Sequence, residues 1–146
     1  MREVILLCGP PGAGKTTAAR ELAAQYDLIV YDRDDPKWIS ERHFVASLRE
    51  VGKDPEARAV VIRSCPASIT RRAVRALVGA TATYLVMEAP ETLRQRIVER
   101  GRGNVSHQLA GVRTWLDKFD HQDAVALWQG KHVPGTLDLG HTSKAW

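Results

Sequence analysis

Short apolar runs alternate along the chain with longer stretches in which apolar residues recur every three or four positions. The runs predict strands over 4–8, 28–31, 59–62 and 83–87. The periodic stretches predict helices over 15–25, 36–51, about 66–78, 90–100 and 106–119, followed by a last helical turn or two that runs to Trp128. This alternation is typical of an α/β fold, in which a mostly parallel sheet of four to five strands lies between two layers of helices.

Two helix starts are indicated by residues that favour helix ends. Asp35 precedes Pro36, and because aspartate is a good N-cap and proline suits the first helical position, the second helix is expected to begin there. Ser106 is the expected N-cap of the last long helix. The tail over 130–146 is rich in Gly, Pro, His and Thr, which predicts a loop with at most one short edge strand.

The composition fits one globular domain over 1–146. Of the 146 residues, 44% are hydrophobic and 26% are charged, close to the averages for soluble proteins. The chain has no apolar run long enough to span a membrane, and the run over 4–7 is too short for a signal peptide. Cys8 and Cys65 lack metal-binding spacing, so we expect reduced thiols in a cytoplasmic protein.

The segment over 9–16 matches the phosphate-loop pattern G-x-x-x-x-G-K-[ST] at every fixed position, between a predicted strand and a predicted helix. Such a loop turns backbone N–H groups toward an anion at a helix N-terminus. We expect Lys15 to reach the β- and γ-phosphates and Thr16 to bind Mg²⁺. The residues expected to contact the nucleotide here are Gly9, Pro10, Pro11, Gly12, Ala13, Gly14, Lys15, Thr16 and Thr17. The sequence therefore predicts binding of a nucleoside triphosphate.

An acidic cluster follows the second predicted strand, where Asp32, Asp34 and Asp35 surround Arg33. Ligands of open parallel sheets bind beyond the carboxyl ends of the strands, so this cluster should face the phosphate loop. Its carboxylates are candidates for a base that deprotonates an acceptor hydroxyl and, at Asp32, for a ligand of Mg²⁺. For Asp35, the N-cap role alone is an equally good explanation.

The formal net charge of +4 matters less than two stretches of arginines. The first stretch predicts either a basic wall for a phosphorylated or polymeric acceptor or a solvated helix surface; its members are Arg63, Arg71, Arg72 and Arg75. The second lies in a predicted lid over 94–108, where guanidinium groups could stabilise a transferring phosphoryl group; its members are Arg94, Arg96, Arg100 and Arg102.

On these motifs the chain resembles small P-loop kinases, most closely the kinase domain of bacteriophage-type polynucleotide 5′-kinases. The resemblance rests on the segments 9–16, 33–35 and 89–101. It implies a kinase-type P-loop NTPase fold, with Asp34 as general base and Lys15 and Thr16 on the donor. It also implies that Arg100 contacts both ATP and the transferring phosphoryl group, and that Arg96 binds a neighbouring phosphate.

The chain departs from that family at two places: 36–37, after the acidic pair, and 63–65, where the family often has an aspartate. An arginine at 63 is a candidate to bind a substrate phosphate. Trp38 is a candidate to stack on an acceptor base or to pack in the core. Trp115 and Trp128 are expected to pack in the core or between helices. The candidate acceptor-binding residues are Asp32, Arg33, Asp35, Trp38, Arg63 and Arg72.

These patterns predict a phosphotransferase that moves the γ-phosphoryl group of ATP, with Mg²⁺, to a hydroxyl group. A polynucleotide 5′-hydroxyl is the first candidate acceptor, and a nucleoside or nucleoside monophosphate is the alternative; a modified base or other small metabolite is also open. Two other classes remain, a nucleic-acid-binding protein with a relic nucleotide site and an ATPase or nucleotide-binding regulatory module. The latter is disfavoured because the nearest candidate for a strand that ends in Asp-Glu, 87–88, is poor.

Overall fold

A computed structural model describes residues 1–101 and 103–135 of the chain, and strands and helices alternate along it. In chain order the elements are β1 (Glu3–Cys8), α1 (Lys15–Tyr26), β2 (Ile29–Asp32), α2 (Glu41–Lys53), β3 (Arg58–Arg63), α3 (Ser68–Val78), β4 (Ala82–Leu85), α4 (Pro90–Arg100), α5 (Val105–Lys118) and β5 (Ala126–Leu127). The predicted α/β fold is confirmed.

The described strands form a parallel sheet in the order β2-β3-β1-β4-β5. The central strand β1 is buried along its whole length, which explains why its sequence is apolar on both faces. Because all strands run the same way, their carboxyl ends lie along one edge of the sheet. The loops that follow β1, β2 and β3 therefore meet there.

The two faces of the sheet carry separate parts of the core. On one face Val4, Leu6 and Val61 pack with Phe44 of α2 and Val78 of α3. On the other face, alternate residues of the same strands pack against α1, α4 and α5; this group includes Ile5, Leu7, Val60, Leu22, Leu93 and Val112. The alternation of side chains along β1 thus fixes a three-layer arrangement.

The second helix begins later than its sequence signals predict. Ser40 is its N-cap, and the Ser40 side chain accepts a hydrogen bond of 3.0 Å from the backbone N–H of His43. Asp35 does not cap a helix; its carboxylate accepts from the backbone N–H of Lys37 at 3.0 Å and stabilises a turn. Pro36 therefore lies in the loop before α2. An Asp-Pro pair is compatible with a turn as well as with a helix start, which is why the sequence signal was misleading.

Two boundaries near the C-terminal side also differ from the predictions. The last long helix begins at Val105, with Asn104 in a left-handed conformation (φ 48°) at its N-cap, so Ser106 lies inside the helix. No helical turn leads to Trp128; residues 126–127 instead form β5, which pairs with β4. Residues 130–135 lie outside helices and strands, as predicted, and the rest of the tail lies outside the described residues.

The expected basic wall on α3 is wrong for two of its arginines. Arg71 is fully buried and forms an ion pair of 2.7 Å with Asp123, which is also fully buried. Desolvation alone would raise the pKa of Asp123, but the hydrogen bonds and charge of Arg71 hold it below its ordinary value. Arg75 is largely buried too, whereas Arg72 is exposed. The spacing of arginines on a helix gives no information about Asp123, the acidic partner of Arg71, which lies 52 residues later in the chain.

Candidate active site

The phosphate loop connects β1 to α1 at the carboxyl edge of the sheet. Gly12 and Gly14 have φ values of +81° and +96°, a conformation that glycine adopts without strain. A side chain on Gly9 would collide with the backbone oxygen of Val86, at the end of the neighbouring strand. The glycines of the motif are therefore required by both the turn of the loop and its close packing against the β4 side of the sheet.

Lys15 is the first residue of α1, and its side chain folds back over the loop. Its Nζ donates to the backbone oxygens of Gly9 and Pro10, the latter at 3.0 Å. Burial lowers the pKa of Lys15 from 10.5 to about 8, although nearby Asp34 and Asp32 act to raise it. The nearby carboxylates thus do not fully compensate for the burial of the Lys15 ammonium group, and phosphate groups bound beside it would stabilise its charge.

The loop is joined to the acidic cluster after β2 by Thr16 and Asp32. The Thr16 hydroxyl donates to one Asp32 carboxylate oxygen at 3.3 Å, and the other oxygen accepts from the backbone N–H of Asp34 at 3.0 Å. Hydroxyl and carboxylate oxygens are ligands that Mg²⁺ prefers. Among the described residues no group of three or more His, Cys, Asp and Glu could hold a metal. Thr16 and Asp32 supply two such oxygens, so a Mg²⁺ ion held here would take its other ligands from phosphate and water.

Asp34 is exposed next to the Thr16–Asp32 contact, and its negative charge acts to raise the pKa of Lys15. Its backbone is held by the bond to Asp32, which fixes the position from which the carboxylate projects. The structure thus brings three predicted residues together: the candidate phosphate ligand Lys15, the candidate metal ligand Asp32 and the candidate base Asp34.

The two lid arginines of α4 lie over the phosphate loop. Arg96 donates from Nη1 to the backbone oxygens of Gly12 and Ala13 at 3.3 and 3.5 Å, and its Nη2 pairs with Glu88 at 3.1 Å. Arg100 lies close to the same glycine, because a Cβ atom built on Gly12 would be 3.6 Å from Nη2 of Arg100. Both guanidinium groups are therefore next to the position expected for the phosphates.

The other two arginines of that stretch are not brought to the loop by any described contact. Arg94 forms an exposed pair with Glu91 at 3.6 Å, one turn earlier on α4. Arg102 lies outside the described residues.

A cavity of about 590 Å³ opens between the phosphate loop, α1, α4 and the segment after β5. This volume is in the range of ligand-binding pockets. Its wall includes polar groups of the loop and lid and apolar groups of the sheet edge: Gly12, Gly14, Thr17, Glu21, Val86, Glu88, Arg96, Arg100 and Trp128. The cavity continues from the phosphate loop toward Trp128.

Trp128 packs against the core, as expected. The sequence analysis did not foresee that it is also half-buried on the wall of this cavity. Its backbone N–H donates to Leu85 at 2.9 Å, and its ring meets the ring of Tyr84 edge to face at 5.1 Å. A helix was predicted to run to Trp128, and this prediction gave no reason to place Trp128 at the cavity. A short edge strand in this segment would have placed Trp128 beside the end of β4. Trp115 is buried, as expected.

Glu41 brings together Arg63, the last residue of β3, and Arg33, the first residue after β2. Its carboxylate pairs with Arg63 at 2.7 Å and with Arg33 at 3.2 Å. The hydrogen bond from Arg63 lowers the pKa of Glu41 below its ordinary value of 4.5. Arg33 and Arg63 were both predicted to contact an acceptor, and Glu41, at the start of α2, supplies the contact that sequence analysis did not foresee.

The remaining acceptor candidates lie elsewhere. Trp38 is buried, and its ring stacks on Tyr31 at 6.1 Å and meets Phe44 edge to face at 5.0 Å, so it belongs to the core and is no stacking platform for a base. Arg72 is on the outer face of α3, where it lines a separate, smaller cavity. Asp35 stabilises its turn.

Cys8 and Cys65 are free and buried, and they are hydrogen-bonded to each other although they lie far apart in the sequence. A hydrogen bond to Cys65, together with burial, holds the pKa of Cys8 well above its ordinary value of 9.0. The Cys8 thiol is therefore protonated directly before the first glycine of the loop.

Comparison with known proteins places this site in a family. The AAA domain family matches residues 4–85, from β1 through β4. The chain belongs to this family. This AAA-domain protein is also 33% identical to a shikimate kinase of Salinispora arenicola over 117 residues, which cover 70% of each chain. It is an enzyme of the P-loop kinase type.

Solved structures share the fold at lower identity. A gluconokinase from Sinorhizobium meliloti has a TM-score of 0.59 at 18% identity, over 84% of this chain and 79% of that one. A shikimate kinase from Acinetobacter baumannii has a TM-score of 0.56 at 23% identity, over 80% and 75%. These matches confirm the kinase-type P-loop fold, while a specific likeness to polynucleotide 5′-kinases is not shown by them. No helix among the described residues is long and apolar enough to cross a membrane.

Proposed function

We propose that this P-loop kinase transfers the γ-phosphoryl group of ATP to a hydroxyl group of a small, anionic molecule. The observation that carries the proposal is the 3.3 Å contact between Thr16 and Asp32, because it joins the donor loop to the acidic cluster of the acceptor side. The relatives named as shikimate kinase and gluconokinase favour transfer to an acceptor over simple hydrolysis.

Each residue of the proposed site has a defined task. Asp34 takes the proton of the acceptor hydroxyl, which contributes about 10²–10⁴ in rate. Lys15, Arg96 and Arg100 stabilise the negative charge that spreads over the transferring group. Thr16 and Asp32 would hold Mg²⁺, which neutralises phosphate charge when bound.

The anionic character of the acceptor is inferred from Arg33 and Arg63. Their guanidinium groups converge on Glu41 at the carboxyl ends of β2 and β3, beside the acidic cluster. Relatives named for shikimate and gluconate support the same class, since both compounds carry hydroxyl groups and a carboxylate. A carboxylate of the acceptor would bind one or both arginines while Glu41 keeps them in position.

Nucleosides and nucleoside monophosphates are the second candidate acceptors, because a phosphate would suit the same two arginines. A polynucleotide 5′-hydroxyl is less favoured. Two arginines of the expected basic wall, Arg71 and Arg75, are buried and so cannot line a path for a nucleic-acid backbone.

The test is a transfer assay with ATP labelled in its γ-phosphoryl group and a panel of acceptors. The panel contains shikimate, gluconate, other small hydroxy acids, nucleosides, nucleoside monophosphates and a 5′-hydroxyl oligonucleotide. We expect label in a hydroxy acid. Label found in no acceptor and released as free phosphate would contradict the kinase proposal, and label in the oligonucleotide would contradict the acceptor class.

A further inference from the structure

Glu3 and His132 form a buried polar pair that the phosphoryl-transfer site does not use. The side chains of Glu3 and His132 are 1% and 0% exposed, and Nε2 of His132 contacts Oε1 of Glu3. Burial of a carboxylate and an imidazole costs free energy unless both are well paired. A pair that joins the start of β1 to the segment after β5 therefore calls for an explanation.

The pair is the centre of a larger network. Nδ1 of His132 lies 2.8 Å from the Tyr84 hydroxyl, and the backbone oxygen of His132 accepts from the Tyr26 hydroxyl at 2.6 Å. The second Glu3 oxygen accepts from Thr81 at 3.2 Å. With its proton on Nε2, the imidazole donates to Glu3 and accepts from Tyr84, so both ring nitrogens are satisfied.

This network leads to the nucleotide cavity through two aromatic rings. The ring of Tyr84 meets His132 edge to face at 5.8 Å and Trp128 at 5.1 Å, and Trp128 lines the cavity. Tyr84 is therefore held by His132 on one side and supports Trp128 on the other. Such edge-to-face contacts also fix the orientation of the rings.

The backbone alone holds this region weakly. We call residues 126–135 the C-terminal strap. Its strand β5 is two residues long, and both residues are exposed. Beyond Trp128 the strap crosses to the opposite end of β1, where His132 is its buried anchor. A short edge strand with few backbone bonds needs such an anchor to keep one position.

We propose that His132 and Glu3 are positioning residues of the donor-nucleotide subsite. They hold the C-terminal strap and Tyr84 so that Trp128 forms a fixed wall against the base of ATP. The inference rests on the proposed function, in which ATP occupies this cavity. Neither residue touches the nucleotide, and both act through Tyr84 and Trp128.

The test measures the dissociation constant of Mg·ATP by calorimetry, without acceptor, in the full chain. We expect His132→Ala and Tyr84→Phe to weaken binding about three- to tenfold, as the loss of one supporting contact allows. His132→Gln retains a donor and an acceptor and should recover part of the affinity. Quenching of tryptophan fluorescence by ATP should fall in His132→Ala and be largely absent in Trp128→Phe.

The matched control is Asp123→Asn, which disturbs another buried pair away from the cavity. It should lower the melting temperature and leave the affinity for ATP unchanged. If the His132 and Tyr84 variants lose stability but bind ATP as wild type does, their role is structural and the inference is overturned. Should His132→Ala fail to fold, Tyr84→Phe and His132→Gln decide the outcome by the same comparison. Absence of ATP binding by the wild-type protein would overturn the proposed function and this inference with it.

Discussion

The hydroxyl of Thr16 and the carboxylate of Asp32 lie 3.3 Å apart, across the gap between the phosphate loop and the end of β2. The two residues are neighbours because β2 and β1 are parallel strands of one sheet that flank β3, and their following loops open at the same edge. This contact joins the phosphate loop to the acidic cluster after β2.

Replacement of Asp32 by Asn should weaken the response of the enzyme to Mg²⁺. Asparagine still offers an oxygen ligand at position 32 but lacks the negative charge of aspartate. The Mg²⁺ concentration for half-maximal transfer should therefore rise about tenfold or more. A magnesium titration of transfer at fixed ATP checks this expectation. Asp35→Asn is the matched control, because an asparagine can still accept the hydrogen bond of the turn. Equal magnesium curves for wild type and Asp32→Asn would show that Asp32 is not a ligand.

Binding of ATP should take up protons near pH 8. Burial lowers the pKa of Lys15 to about 8 in the free protein, and phosphate charge raises it again. Uptake should therefore approach one proton per nucleotide as the pH rises from about 7 to about 9, and vanish below that range. Calorimetry in buffers of different ionisation enthalpy measures it. A Lys15→Met variant, where it still binds, should show no such uptake.

The lowered pKa of Lys15 also predicts how the stability of the folded protein changes with pH. Between about 8 and 10.5 the unfolded chain keeps the Lys15 proton while the folded protein has lost it, so folding stability should rise with pH through this window. Below about pH 8 the buried charge opposes folding. Without nucleotide, Lys15→Met should consequently be more stable than wild type at pH 7, with a difference that shrinks toward pH 10.5. Denaturant unfolding at several pH values provides the measurement, and a difference that is constant with pH would contradict the assignment.

Glu41→Gln should change the handling of the acceptor and leave that of ATP alone. Glu41 bridges Arg33 and Arg63, so its neutralisation should let both guanidinium groups move and raise the KM of the acceptor several-fold. The dissociation constant of ATP should stay within about twofold of wild type. Glu50→Gln, at the other end of α2, removes a comparable exposed ion pair and serves as control. An unchanged acceptor KM would remove the two arginines from the acceptor site.

Loss of one partner of the Arg71–Asp123 pair should be strongly destabilising. Arg71→Met leaves the Asp123 carboxylate buried without its cation, which costs about 3–5 kcal/mol of unfolding free energy. Replacement of both residues by apolar ones should recover much of the loss. Denaturant melts of the single and double variants measure this difference, and a purely additive double variant would mean that the pair is not coupled.

The sequence predicted those parts of the site that depend on local pattern. The phosphate loop, the central strand and the acidic cluster after β2 were all recognisable, because each motif lies within a few residues and the parallel sheet brings strand ends together. The two lid arginines Arg96 and Arg100 were found for the same reason, since they share one face of a single helix.

The features that were missed depend on contacts between distant residues. Arg71 was expected at the surface because its acidic partner lies on a later loop. Glu41 joins two strand ends only because α2 begins at 41, and the Asp35-Pro36 pair indicated an earlier start. Trp128 and His132 follow a two-residue strand, β5, whose sequence signal is weak. Their positions follow from tertiary packing that no local pattern records.

The central claim is that Asp34 is the base of a phosphoryl transfer to a small hydroxylated molecule. The most direct test compares wild type and Asp34→Asn for transfer of the labelled γ-phosphoryl group to the acceptor found in the panel, and for binding of Mg·ATP. The account predicts a loss of transfer of about 10²–10⁴, with the dissociation constant of ATP within about twofold. Transfer by Asp34→Asn at the wild-type rate would contradict it.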